Sequence, residues 1–305
     1  MGERRNLQHL RSGLMYAVAG FSVLSVGDAV IKTMAGEWPS VAVAALRFTI
    51  AAIGLSVMLW RKEGRAGFVP VNPWLQLARG VCLAMASLCF FSAIFVMPLA
   101  DAMAIGFLAP VLTVALSGPI LGERVKPIVW AATLVALVGV AMILRPNLAE
   151  MGWPAVLPLI SATFFALMVI SNRASAGQGS ALSMQFFIAA VASPVLIIAA
   201  IAAQFLDVPQ LQMDVPSFSV VARCTLVAMT ATAAHWLIYM GTMRAGAAQV
   251  APTVYVQMVV AIVLGWWWFG DVPDMVTMLG VGTIILAGLY LWWDSRRALY
   301  AEKSI

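Results

Sequence analysis

Apolar residues run along this chain in long unbroken blocks rather than in alternation, and short polar segments punctuate them. The blocks predict helices over roughly 12–34, 38–60, 74–97, 101–121, 127–145, 152–172, 181–206, 216–240, 246–269 and 275–294. Each is near the length of about 20 residues that an α-helix needs to cross the hydrocarbon of a bilayer. The clearest block, from Ala102 to Leu121, contains no charged residue and ends at Gly122-Glu123. A similar arrangement returns later, where an apolar run that follows Pro252 ends at Gly270-Asp271, 148 residues after the first pair. One unit used twice accounts for this spacing. Ten spans divide into two sets of five, over residues 12–145 and 152–294, and an odd number per set forces the two into opposite orientations. The expected fold is therefore an all-α polytopic membrane protein, with ten transmembrane helices as two inverted five-helix repeats.

Composition agrees. Hydrophobic residues make up 63% and charged residues 10% of the chain, with a mean hydropathy of +0.96, whereas soluble proteins are about 25% charged. A membrane barrel would need alternating strands of about ten residues, which these blocks do not offer. The net charge of +5 has a local source. With the N-terminus inside, the inner segments hold Arg4, Arg5, Arg11, Arg61, Lys62, Arg65, Arg124, Lys126, Arg173, Arg244, Arg296, Arg297 and Lys303, while the outer loops hold Arg145. Glu37, Glu150, Asp207, Asp214, Asp271 and Asp274 fall outside. The positive-inside rule then predicts that both termini are cytoplasmic. No basic-aromatic patch points to nucleic acid. Cys82, Cys89 and Cys224 lie inside apolar blocks and read as small core residues rather than disulfides or metal ligands. The Ala17-Val18-Ala19 triplet resembles a signal-peptidase site, but five residues after Arg11 leave no room for an apolar leader segment, so the first span is expected to remain uncleaved.

The residues Pro98-Leu-Ala-Asp-Ala, Pro110, Leu121-Gly-Glu-Arg124 and Gly139 resemble the pattern of the drug/metabolite transporter superfamily, in its EamA-type ten-helix branch. Asp28-Ala-Val-Ile-Lys32, Leu46-Arg47-Phe48 and a more degenerate second copy around Ala248, Pro252 and Gly270-Asp271 extend the likeness over most of the chain. The prolines depart from the repeat: at the 148-residue offset Pro110 meets Met258, and Pro252 lies six residues earlier. The resemblance implies a carrier of small metabolites in a bacterial cytoplasmic membrane, moving an amino acid, an amine, an S-adenosylmethionine-like compound or a drug, as a monomer or homodimer and without a cofactor.

Ionisable groups inside spans are costly unless paired or hydrated, so each is a candidate for function. Asp28 and Lys32 lie four apart on one helix face. Either they neutralise each other, with Lys32 reaching the interface, or Asp28 lines a cavity as a cation or proton site that Lys32 tunes. Arg47 lies too deep to reach the interface easily and needs a partner, which could be Asp28 in an interhelical clamp or the substrate itself. Arg79 and Arg223 lie close to span ends and are expected at the interface. His235, with Trp236 beside it, could relay protons or simply bond to a neighbour. Tyr255 and Gln257 follow Pro252, whose missing N–H frees a carbonyl one turn earlier, and Pro110 does the same in the other half. The expected cavity lining is thus Asp28, Arg47, Phe91, Phe107, His235, Trp236, Tyr255 and Gln257, with helix breaks at Pro110 and Pro252. Glu123 reads as structural, capping the next helix or pairing with Arg124 or Lys126. Asp101 fits a first helical turn, and the Trp266-Trp-Trp268 and Trp292-Trp293 clusters fit an interfacial belt. Gly106, Gly118, Gly139, Gly265, Gly282 and Gly288 are read as points of close helix approach or hinges.

Among function classes, an alternating-access secondary transporter fits best. An intramembrane enzyme would need an H-E-x-x-H motif, a nucleophile elbow or a second intramembrane aspartate, and the sequence offers none of these. A passive channel would need a repeated polar ring or filter sequence.

Overall fold

Where the apolar blocks lie, the chain is helical. The computed structural model describes residues 2–34, 36–96, 105–123, 125–144, 153–206, 212–269 and 274–301, and among these residues there is no strand. The long helices are α1 (Gly2–Lys32), α2 (Ser40–Glu63), α3 (Pro73–Val96), α4 (Ala109–Leu121), α5 (Pro127–Leu144), α6 (Val156–Ala174), α7 (Ala181–Gln204), α8 (Phe218–Ala245), α9 (Val256–Phe269) and α10 (Met275–Ala301). Local chemistry sets their ends. Ser180 and Ser217 cap α7 and α8 by accepting hydrogen bonds from the amides of Ser183 and Val220. Arg61 and Lys62 occupy the last turn of α2, where the helix dipole favours cations. Gly122 ends α4 in the left-handed conformation, at φ 68°.

Among the described residues, seven helices are long and apolar enough to cross a membrane: Gln8–Ile31, Ser40–Phe68, Pro73–Ala93, Val156–Ala174, Ala181–Gln204, Phe218–Ala245 and Ala247–Leu264. Ala109–Leu121, Pro127–Met142 and Met278–Tyr290 are apolar but shorter. The expected fourth span is thus not one continuous helix. The chain turns at Phe107-Leu108 and restarts at Ala109, with Pro110 in the first turn, where its missing N–H leaves no helical bond unmade. Pro98 and Asp101 lie outside the described residues, as do Gly270 and Asp271. The approach to α9 is irregular too: a single turn over Ala247–Val250 passes into a 3₁₀ segment, Ala251–Tyr255, before α9 begins.

The helices pack in a definite pattern. α1 lies along α8 and α3 along α6, while α2 pairs with α7 and α5 with α10; α4 rests on α6, and α1 also meets α9. Small residues make the first contact close. Gly13, Gly20 and Gly27 recur every seven residues on α1, a spacing that keeps one seam facing the same neighbour. A Cβ at Gly20 would sit 2.8 Å from Ile238 Cγ1 and 2.9 Å from the Ala234 carbonyl oxygen, and one at Gly241 of α8 would sit 2.8 Å from the Gly13 carbonyl oxygen. Of the glycines singled out from the sequence, Gly139 does approach α10, 2.8 Å from the Gly280 carbonyl oxygen by the same measure, whereas Gly282 and Gly288 have open space around them. The α1 stripe and Gly241 are among the close contacts that the sequence reading missed, as is Gly80 of α3, where a Cβ would run into Val191 Cβ of α7.

Gly20→Val is therefore expected to destabilise the protein by about 1–3 kcal/mol, the usual cost of overpacking. Gly54→Ala, which meets nothing within 4 Å, should leave stability unchanged or slightly raised. Thermal unfolding of the two purified variants in detergent checks the contrast.

Candidate functional site

A cavity of about 180 Å³ opens between the helices, with room for on the order of a dozen waters. Its walls come from both halves of the chain. Leu24 and Asp28 come from α1, Arg47 from α2, and Leu83, Ala86, Ser87, Phe90 and Phe91 from α3; Gly106, Phe107, Ala109 and Pro110 come from the broken segment leading into α4. Across from them stand Ser161, Ala162 and Phe165 of α6, His235 of α8, and Val254 and Gln257 at the start of α9. Leu83, Ser87, Phe90 and Phe91 form one face of α3 at helical spacing. A smaller void of about 20 Å³ adjoins Arg47, Gln185 and His235.

The two intramembrane charges of this cavity are held by different means. Gln257 Nε2 donates to Asp28 Oδ2 at 2.6 Å, and the Ser25 hydroxyl donates to the Gln257 carbonyl oxygen at 3.0 Å, which fixes α9 against α1. Arg47, 8% exposed, lies with its guanidinium carbon 4.8 Å from the Phe48 ring centre and 5.6 Å from that of Phe91. Its Nε is buried with no hydrogen-bond partner among the described residues. The interhelical clamp between Asp28 and Arg47 is therefore not formed: both residues line the cavity, but the group hydrogen-bonded to Asp28 is the neutral Gln257. The Lys32 side chain lies outside the described residues.

The rest of the expected lining divides. Phe91, Phe107, His235, Gln257 and Pro110 border the cavity. Tyr255 does not; it is fully buried behind the wall, where its hydroxyl donates to the Phe107 carbonyl oxygen at 3.3 Å and the two rings lie 6.0 Å apart. Trp236, one residue and so about 100° around the helix from His235, faces outward against Tyr16 at 6.4 Å. Pro252, buried in the 3₁₀ segment, shapes the backbone behind Val254 and Gln257 without lining the space itself. Ser87, Phe90, Ser161 and Phe165 were missed, and only the helical register with Phe91 could have pointed to the α3 pair.

Beyond the cavity, Arg79 corrects an expectation. It is not interfacial but fully buried. Its Nε donates to Asn172 Oδ1 at 3.0 Å, its Nη1 donates to Gln76 Oε1 at 2.5 Å and to the Met184 carbonyl oxygen at 3.3 Å, and its guanidinium lies 5.4 Å from the Tyr239 ring centre. Helices α6, α7 and α8 close over the start of α3, so distance from the helix end did not measure depth. Close by in the fold, Glu123 keeps a structural part but with a different partner. Arg173 of α6 donates to it from Nε at 3.0 Å and to the Met243 carbonyl oxygen of α8 at 2.6 Å. Gly246, at φ 90°, lies beneath this carboxylate: a Cβ there would stand 3.0 Å from Glu123 Oε1. At the opposite end of α8, Arg223 hydrogen-bonds Glu37 and donates to the Thr33 carbonyl oxygen at 2.7 Å, just past the end of α1.

Comparison with known proteins bears on the whole chain. The EamA-like transporter family matches it twice, over residues 11–145 and 152–293. A riboflavin transporter of Rhizobium johnstonii is 25% identical over 284 residues, covering 93% of this chain and 91% of its own. The pseudopaline exporter CntI of Pseudomonas aeruginosa is 30% identical over 291 residues, covering 93% and 97%. A solved crystal structure with 18% sequence identity superposes with a TM-score of 0.77 over 94% of this chain and 99% of its own, a likeness of fold.

Asn172→Ala would strip a hydrogen bond from the buried Arg79 guanidinium. Leaving a buried charged donor unmet costs about 1–3 kcal/mol or more, so the variant should melt clearly below the parent protein. Arg61→Ala, at an exposed helix end, should shift the melting point little.

Proposed function

The chain belongs to the EamA-like transporter family, and we propose that it is a secondary transporter which carries a small metabolite across the cytoplasmic membrane by alternating access. The observation that carries this reading is the placement of the cavity. Two intramembrane charges, Asp28 and Arg47, meet it at the level where the chain is broken ahead of α4 and ahead of α9. Non-helical backbone at membrane depth is tolerated where it lines a cavity or is buried in protein, and broken helices beside a midplane site are a recurring feature of transporters. Relatives named for the movement of riboflavin and pseudopaline support a small-molecule cargo.

Residues 12–145 and 152–294 are read as two five-helix repeats of opposite orientation, giving ten spans. The packing supports it. Advancing each helix number by five, cyclically, turns the pair α1–α8 into α6–α3, the pair α4–α6 into α9–α1, and returns α2–α7 and α5–α10 to themselves. Phe107 and Tyr255, 148 residues apart, touch each other, as equivalent positions on a pseudo-twofold axis do. With both termini in the cytoplasm, the cavity residues of α1, α3 and α4 fall in the outer half of the membrane, while the Arg79 cluster and the Glu123–Arg173–Met243 bonds lie on the inner side. Rocking of the repeats would then expose the cavity to one side of the membrane and the other in turn.

Proteoliposomes supply the test. The protein should move at least one member of a panel of amino acids, amines, nucleoside derivatives and cationic metabolites down an imposed gradient, and Asp28→Asn should lower that rate tenfold or more. Absence of movement across the whole panel, or a single-channel conductance in planar bilayers, would overturn the reading.

A further inference from the structure

Arg47 and Asp28 are opposite charges in one cavity that do not form an ion pair with each other, and among the described residues each is held by a neutral neighbour. Among the described residues, the Arg47 guanidinium has two aromatic rings for company and no acidic partner within ion-pair distance. Contact with a ring face holds a guanidinium by its π-cloud and leaves the N–H donors at its edge available. One of them, Nε, is buried without a partner. A guanidinium so placed matches a carboxylate, which accepts two parallel N–H bonds. Asp28 offers the complement: among the described residues it forms no ion pair, and the neutral Gln257 engages one of its carboxylate oxygens. Ser25 pins the Gln257 backbone, which keeps Asp28 towards α1 and α9, while Phe48 and Phe91 keep Arg47 towards α2 and α3.

An unpaired charge of either sign costs several kcal/mol inside a membrane, and mutual collapse would relieve both. The architecture instead keeps a positive and a negative pole facing one space whose walls are otherwise largely apolar. We infer that the cavity is built for a zwitterionic substrate, whose carboxylate binds Arg47 and whose ammonium binds Asp28, with the apolar remainder of the molecule against Phe90, Phe91 and Phe107. A molecule carrying both charges would neutralise the two poles at once, and one carrying a single charge would leave the other pole unmet. Arg47 and Asp28 are then the residues that determine substrate class.

The inference rests on the transporter reading, and binding and transport are measured separately so that the two can fail separately. Protein in nanodiscs is titrated calorimetrically with two matched triads: L-phenylalanine, phenethylamine and 3-phenylpropanoate, and L-leucine with its corresponding amine and acid. In at least one triad the zwitterion should bind tenfold or more tightly than both truncated forms. Arg47→Gln should reduce its affinity to that of the amine, Arg47→Lys should recover part of the loss, and Asp28→Asn should reduce it to that of the acid. Size-exclusion profiles and melting points identify any variant that has not folded, and Arg47→Lys keeps the charge where Arg47→Gln does not fold. An amine or acid that binds as well as its parent zwitterion would overturn the inference. So would an unchanged affinity in folded Arg47→Gln, or the absence of zwitterion binding by protein that transports another compound of the panel. Zwitterion binding without any transport would leave the dipolar site standing and strike the transporter reading instead.

Discussion

A bilayer core has no water to offer a broken helix, so each backbone group released at a break must be met by protein or by a wet cavity. That constraint governs the centre of this molecule. The chain loses α-helical form at Phe107-Leu108 and again over Ala251–Tyr255, and the two irregular stretches are brought against one another. The Tyr255 hydroxyl donates to the Phe107 carbonyl oxygen, joining one break to the other. What protein does not cover there faces the cavity. The stacked arrangement of α1 on α8 and α3 on α6 then serves as a scaffold around this weak point, and the glycine seam on α1 allows it to be tight.

Much of this was legible in the sequence because membrane insertion writes itself in composition. Long apolar blocks gave the positions of α2, α3 and α5 to α8 closely, since a run of about 20 apolar residues has few other uses, while α1 begins at Gly2, ten residues before the expected start. The α4 region was less legible. Pro110 was read as a break within a continuous span, whereas it starts a helix after a turn, and a proline fits both roles. For the site, rare polar residues were good guides: Asp28, Arg47, His235 and Gln257 all reached the cavity, because a group that is costly in lipid turns away from it. Aromatic and hydroxyl groups were poorer guides. Trp236 is amphipathic enough for a lipid-facing surface, Tyr255 spends its hydroxyl on backbone, and Ser87 and Ser161 are too common in membrane helices to stand out. Arg79 shows a different failure, since its depth depends on which helices cover it.

The two arginines near helix starts show how the halves differ. Arg79 lies seven residues into α3 and reaches α6, and Arg223 lies six residues into α8 and reaches the end of α1. In the two-repeat reading they are counterparts on opposite sides of the membrane. Their surroundings are not alike. Arg79 is fully buried among neutral partners, whereas Arg223 is partly exposed and bonded to Glu37. Arg79 is bonded to amides, a carbonyl and a ring through Nε and Nη1, while its Nη2 is buried without a partner among the described residues. Exchanging those contacts for water leaves no bare carboxylate behind, so separating α3 from α6 costs less than breaking a buried ion pair would.

The same economy distinguishes the centre from the two ends. Outside the cavity, two carboxylates pair with arginines: Glu123 meets Arg173, and Glu37 meets Arg223. Inside it, opposite charges are held by a glutamine on one side and by two phenylalanines on the other. A fold selected for stability alone would close Asp28 onto Arg47 or replace both with apolar residues, since well-packed apolar groups commonly match or exceed a buried ion pair in stability. Places where a sequence departs from the locally stable choice are where function is to be sought. Here the departure consists of two opposite charges that face one space without forming an ion pair.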